Sequence, residues 1–125
     1  MPKTLSAYTD IEASSEVMSA SGYRLIQLLF EKFLQQINLA KTHLNNDAKL
    51  ERNNCITKAN DIITYLRSCL NFDESTNEFS TQLNLTYVNV QRCLINATLK
   101  NDVEYLELAS MMITNVKSGW DQIKP

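Results

Sequence analysis

Glycine and proline, the residues that punctuate turns, occur only twice each in this 125-residue chain. Turn-rich β architectures need both at their reversals, and helical bundles need neither. Long hydrophobic runs are missing as well. Unbroken apolar stretches extend for a few residues, far short of a membrane span. No charged-then-apolar leader opens the chain, so a cytoplasmic location is expected. Charge of one sign is also lacking. Twelve Lys and Arg against 14 Asp and Glu give a net charge of -2, and no basic run exists to track a phosphate backbone. Nucleic acid is therefore not an expected partner.

Chemistry-bearing residues are equally sparse. The cysteines Cys55, Cys69 and Cys93 are odd in number and lack paired spacing, which fits reduced thiols and neither a disulfide framework nor a zinc site. His43 is the only histidine, and no glutamate stands three residues before it. The Glu-x-x-His pairs of a di-metal bundle are thereby excluded. A phosphorelay histidine is a reading that a small bundle invites. Phosphotransfer helices, however, place that histidine mid-helix, followed by lysine and a small residue. His43 is followed by Leu44-Asn45-Asn46 at a predicted helix end, where a cation simply complements the helix dipole. No glycine-rich phosphate loop is present. The reading is that the chain has no catalytic residue, no metal and no cofactor.

What is present is helical periodicity. Apolar residues make up 44% of the chain, an ordinary globular level, and the length suits one domain. Residues 1–19 read as an appendage. Within it Tyr8 and Ile11, flanked by Asp10 and Glu12, form at most one amphipathic turn, and the plain reading of such a segment is a frayed terminus. A first helix is predicted from about Ser21 to Leu44, with Ile26, Leu29, Phe30, Phe33, Ile37, Ala40 and Leu44 on one face; its apolar breadth predicts a central place in the bundle. A second is predicted over about 48–70, with a seam of Ile56, Ala59, Ile63, Leu66 and Leu70 and a rim of Cys55, Ile62 and Cys69. Ser75 with Glu78 reads as a capping box opening the third, whose main face is Phe79, Leu83, Tyr87, Val90, Leu94 and Ala97, flanked by Val88 and Ile95. Short connections then predict an all-α, antiparallel up-down four-helix bundle over residues 20–125.

The last helix carries the most information. It is predicted from Asn101, with Asn101 and Glu104 as a second capping box, to about Ile123. Leu106, Ala109, Ile113, Val116 and Trp120 make one apolar face, and Tyr105, Leu108, Met112 and Val116 make another beside it. One stripe joins a bundle; a second needs a second partner. Across the chain, Ile62, Tyr65, Cys69, Val88, Ile95, Tyr105, Leu108 and Met112 are surplus to a minimal seam. Either the core is broad or these residues receive something from outside, and the adaptable thioethers of Met111 and Met112 suit the latter. A non-catalytic regulatory bundle that homodimerises through the same stripe is the alternative.

Several ordered segments resemble the FliS family of flagellar export chaperones: Ala20-Ser21, Leu25-Ile26-Gln27 and Leu29-Phe30-Glu31; then Lys58-Ala59, Ile62-Ile63, Leu66 and Leu70-Asn71; then Leu83, Tyr87, Leu94 and Ala97; and finally Asn101-Asp102, Leu106-Glu107, Ile113, Lys117 and Gly119-Trp120. The departures are Gly22 for the family's proline, Gln82 and Thr98 for asparagines, Asn89 for an aromatic residue and Leu108 for an often acidic one. The resemblance implies a cytoplasmic chaperone of type III export, a monomer or weak homodimer. Its partner would be the C-terminal region of flagellin, which is disordered when free and wraps the bundle; other flagellar export components are implied as further partners. The surplus residues Ile62, Tyr65, Cys69, Val88, Ile95, Tyr105, Leu108 and Met112 would be its flagellin-binding candidates. Tyr8 and Ile11 would be a self-cap that lies over part of the groove when cargo is absent.

Overall fold

A computed structural model describes residues 22–74 and 76–123. Tyr8, Ile11, Ser75 and the expected appendage over 1–19 lie outside the described residues. Four helices follow in order: α1 (Gly22–Asn45), α2 (Lys49–Ser68), α3 (Asn77–Lys100) and α4 (Val103–Gln122). Each packs on its chain neighbours and α4 closes back on α1, so the four make a square antiparallel bundle. Among the described residues the diagonal pairs do not approach closely, and no helix is central. This corrects the expectation for α1. Its broad apolar face serves two neighbours, α2 and α4, from a corner position. Among the described residues no helix is long and apolar enough to cross a membrane.

The scarcity of glycine has a local explanation. The backbone turns left-handed at Asp47 (φ 56°) and Asn101 (φ 50°), residues whose short polar side chains tolerate that region. At Asp47 the amide of Ala48 donates to His43 O at 2.8 Å and that of Asp47 to Leu44 O at 3.2 Å, the paired bonds of a Schellman closure. Asn101 ends α3 rather than opening α4, which corrects the predicted cap. Asp102, with extended backbone, is the N-cap, and its Oδ1 accepts from the Glu104 amide at 3.0 Å. Asn101 instead offers its Oδ1 to the guanidinium of Arg52, a buried cation that also donates to Asn53 at 3.0 and 3.1 Å. The tie fixes the start of α2 to the end of α3. At the opposite end α3 is capped by Thr76, with no hydrogen bond from its side chain into the helix. The Asn71 carbonyl takes the hydroxyls of Thr76 and Ser80 instead, and thereby anchors the α2–α3 connection.

The core runs through Leu29, Phe30, Phe33, Ile37 and Ala40 of α1, Ile56, Ala59, Ile63 and Leu66 of α2, Tyr87, Val90, Leu94 and Ala97 of α3, and Leu106, Ala109 and Ile113 of α4. Most are the residues whose spacing predicted it. Fully burying one aliphatic side chain of this set is worth about 1.5–3 kcal/mol.

Candidate functional site

The bundle does not close evenly. Where α1 and α3 begin and α2 and α4 end, the apolar faces frame a cleft of about 430 Å³. Ile26 and Phe30 line it from α1, Leu66, Cys69 and Leu70 from the end of α2, Phe79, Leu83 and Tyr87 from α3, and Val116, Gly119, Trp120 and Ile123 from α4. Among the described residues Asn115 is the one amide side chain on its wall. Phe79, predicted as core, is 66% exposed here because no side chain of the described residues covers it at this end. Phe72, in the neighbouring connection, is also exposed.

One wall is held by a reciprocal clasp between the first turn of α1 and the last of α4. The Tyr23 hydroxyl donates to Trp120 O at 2.9 Å, and the Trp120 indole N–H donates to Tyr23 O at 3.1 Å. The rings stack with centroids 5.2 Å apart. Trp120 O, in the last turn of α4, also accepts from the Ile123 amide at 3.0 Å, so Tyr23 supplies its second hydrogen bond. Beside the clasp, Asp121 accepts from Gln27 Nε2 at 2.7 Å and pairs with Lys117 at 2.7 Å. The hydrogen bond from Lys117, then that from Gln27, holds the Asp121 carboxyl below its usual range.

The α2–α3 seam is the slackest of the four. Polar side chains bridge it: Arg67 donates to Asn84 at 2.8 Å and Gln91 at 3.0 Å, and Gln91 donates to Asn60 at 3.0 Å and Thr64 at 3.1 Å. Further along, nearer the other end, lies a shallower depression lined in part by Ile56, Leu94, Ile95 and Leu99.

The predicted binding residues fall in different places. Ile62 is 1% exposed and belongs to the core, which corrects its place in the rim; α2 is packed by α1 on one side and α3 on the other, so its buried arc is wider than one seam. Cys55 is buried for the same reason. Cys69 lines the cleft, and Ile95, 58% exposed, lines the shallower depression. Tyr65, Tyr105 and Met112 are half-buried against the core, Val88 is half-buried on α3, and Leu108 is 44% exposed. Tyr105 stands at the start of α4, away from the cleft, where Lys100 Nζ donates to its hydroxyl at 3.2 Å and lies 5.4 Å from the ring centroid. The surplus apolar surface therefore spans the bundle's length. Sequence reasoning did not single out Phe72, Phe79, Leu83, Gly119, Trp120 and Ile123 for this surface. Periodicity places Phe79, Leu83 and Trp120 on inward faces, and only the tertiary structure shows that they line an open cleft among the described residues.

The chemistry of the cleft is that of contact rather than reaction. Burial, with Cys69 as a smaller cause, pushes the Tyr87 phenol above its ordinary value, so it stays a neutral hydroxyl. Burial likewise raises the thiols of Cys55, where Lys58 partly offsets it, and Cys93. Among the described residues no group of three His, Cys, Asp or Glu is placed to hold a metal ion.

Fold and site together define a small helical bundle with an apolar cleft at one end that no described residue fills and half-covered apolar residues along its length, the layout of a module that docks other chains. Comparison with known proteins makes the class specific. The family model described as "Flagellar protein FliS" matches residues 4–125. The flagellar secretion chaperone FliS of Salmonella typhimurium is 30% identical over 122 residues, covering 97% of this chain and 90% of that protein. The FliS of Vibrio cholerae is 28% identical over 125 residues, covering 100% of this chain and 91% of its own. The FliSB of Pseudomonas aeruginosa is 31% identical over 121 residues, covering 97% and 95%. The chain belongs to the FliS family of flagellar secretion chaperones.

Proposed function

We propose that this chain is a cytoplasmic export chaperone that binds the disordered C-terminal region of flagellin, prevents its premature polymerisation and delivers it to the flagellar type III export apparatus. The observation that carries this reading is the apolar cleft of about 430 Å³, open at one end of a chain of this family. The cleft alone would suit a compact ligand. Exposed Ile95 and Leu108 lie away from it along the bundle, and a helix of 20 residues spans on the order of 30 Å. An occupant that covers cleft and stripe together is a long, pliant polypeptide. Apolar burial of about 25 cal/mol per Å² favours it, and ordering the segment returns roughly 2–5 kcal/mol or more, which leaves binding firm yet reversible.

The flagellin contacts are assigned to Cys69 in the cleft, Ile95 in the second depression, the half-buried Tyr65, Val88, Tyr105 and Met112, and the exposed Leu108. Tyr8 and Ile11 are assigned as a self-cap, which the position of Gly22 supports: α1 begins at the cleft end of the bundle. Deleting residues 1–11 then tightens or speeds cargo binding, and unchanged binding rejects the self-cap. The central experiment is to mix the chain with full-length flagellin. A one-to-one complex by light scattering that no longer polymerises is the expected result. A homodimer indifferent to flagellin would reject the reading.

A further inference from the structure

Two features of the cleft have no use within the described residues. The first is the hydroxyl of Tyr87. Its side chain lines the cleft and the residue is 2% exposed; no partner among the described residues bonds the phenolic O–H, and since no sealed side-chain oxygen or nitrogen among them is left unpaired, that hydroxyl opens onto the cleft. An occupant that fills the cleft shuts water away from this hydroxyl and must then offer it a partner, because an unpaired polar group in apolar surroundings is costly. Phenylalanine would line this wall without that cost.

The second is Gly119. It sits inside α4, where glycine disfavours the helix relative to alanine. Its φ is not positive, so the conformation does not require glycine. A Cβ built on it meets nothing within 4 Å, so no neighbour among the described residues excludes a side chain. The position nevertheless lines the cleft. A glycine that neither backbone nor packing demands leaves room for another backbone to come close.

Resting on the flagellin-binding reading, we propose that the cleft takes main chain of the cargo as well as its side chains: the Tyr87 hydroxyl hydrogen-bonds a peptide group, and the bare surface at Gly119 lets that backbone seat against α4. Peptide groups inside a helix are already paired. The segment seated here is thus a helix end or an extended link between helical pieces of the flagellin C-terminal region, where carbonyls lack an internal partner. Specificity in such a cleft comes from where the cargo's helices stop as much as from which side chains it carries.

The test uses the full chain as wild type, Tyr87→Phe and Gly119→Ala, with a synthetic peptide of the flagellin C-terminal region as the probe in calorimetry and with thermal unfolding in parallel. Tyr87→Phe is expected to melt at or above the wild-type temperature while binding about three- to tenfold more weakly. Gly119→Ala is expected to melt about 2–4 °C higher and to bind about fivefold more weakly or worse. Stability and affinity thus move in opposite senses, which a purely structural role would not produce. Wild-type affinity in both variants overturns the proposal, as does a lowered melting temperature for Tyr87→Phe. Tighter binding by Gly119→Ala assigns the space to the chain's own N-terminal segment and also overturns it. If the wild-type chain itself ignores the peptide, the flagellin reading falls and this proposal falls with it.

Discussion

Replacing Phe79 by alanine, beside a parallel Ile62→Ala variant, separates the cleft from the core. Phe79 is 66% exposed and Ile62 is 1% exposed, although both occupy apolar helical positions. A phenylalanine buries about 200 Å² when fully covered, so about 130 Å² of Phe79 remains for a partner to cover. At about 25 cal/mol per Å² that is about 3 kcal/mol, or roughly 150-fold in Kd as an upper bound. Imperfect complementarity brings the expected loss to between about tenfold and 150-fold. The share already covered, less the helix preference of alanine, puts the folding cost near 1 kcal/mol. Ile62→Ala behaves in the reverse way. It opens a cavity costing about 2–5 kcal/mol, which lowers the melting temperature by about 10 °C or more. The affinity of the remaining folded protein stays close to wild type. Calorimetric titration with a flagellin C-terminal peptide, paired with thermal unfolding by circular dichroism, reads both quantities. The reasoning is refuted if Phe79→Ala binds like wild type, or if it destabilises the fold as much as Ile62→Ala does.

Leu108→Asp, at a position 44% exposed, should weaken cargo binding at least fivefold while unfolding stability changes by less than about 1 kcal/mol; outright unfolding would make the second stripe core. Cys69 is exposed and lines the cleft, whereas burial raises the thiols of Cys55 and Cys93. A maleimide should therefore label Cys69 first, and bound flagellin peptide should slow that labelling; equal rates with and without peptide would move the cargo off this wall. The Asp121 carboxyl is held below the ordinary value of about 4 by Lys117 and Gln27. It is harder to protonate folded than unfolded, so its contribution to stability is present above the unfolded value and is lost as pH falls through the depressed one. Asp121→Asn should flatten the acid limb of melting temperature against pH, and an unchanged limb would show that the contact is too well hydrated to matter.

The length, the scarcity of glycine and proline, and the three-four spacing of apolar residues determined four helices and most of their core residues; the family came from a resemblance of ordered segments along the chain. Helical periodicity is a local property, fixed by 3.6 residues per turn, and neighbours along the chain suffice to express it. The same pattern gives the direction in which a side chain points and says nothing of whether a neighbour stands there. Phe79 and Leu94 share one predicted face of α3, yet one is exposed in an open cleft and the other sealed. Ile62 looked like a rim until two helices packed on α2. The boundary between α3 and α4 was settled the same way: Asn101 and Asp102 both cap helices well, and the left-handed backbone at Asn101 made Asp102 the cap. Where a cleft is left and which greasy residues stay uncovered depend on contacts between segments far apart in the chain, and those only the tertiary structure decides.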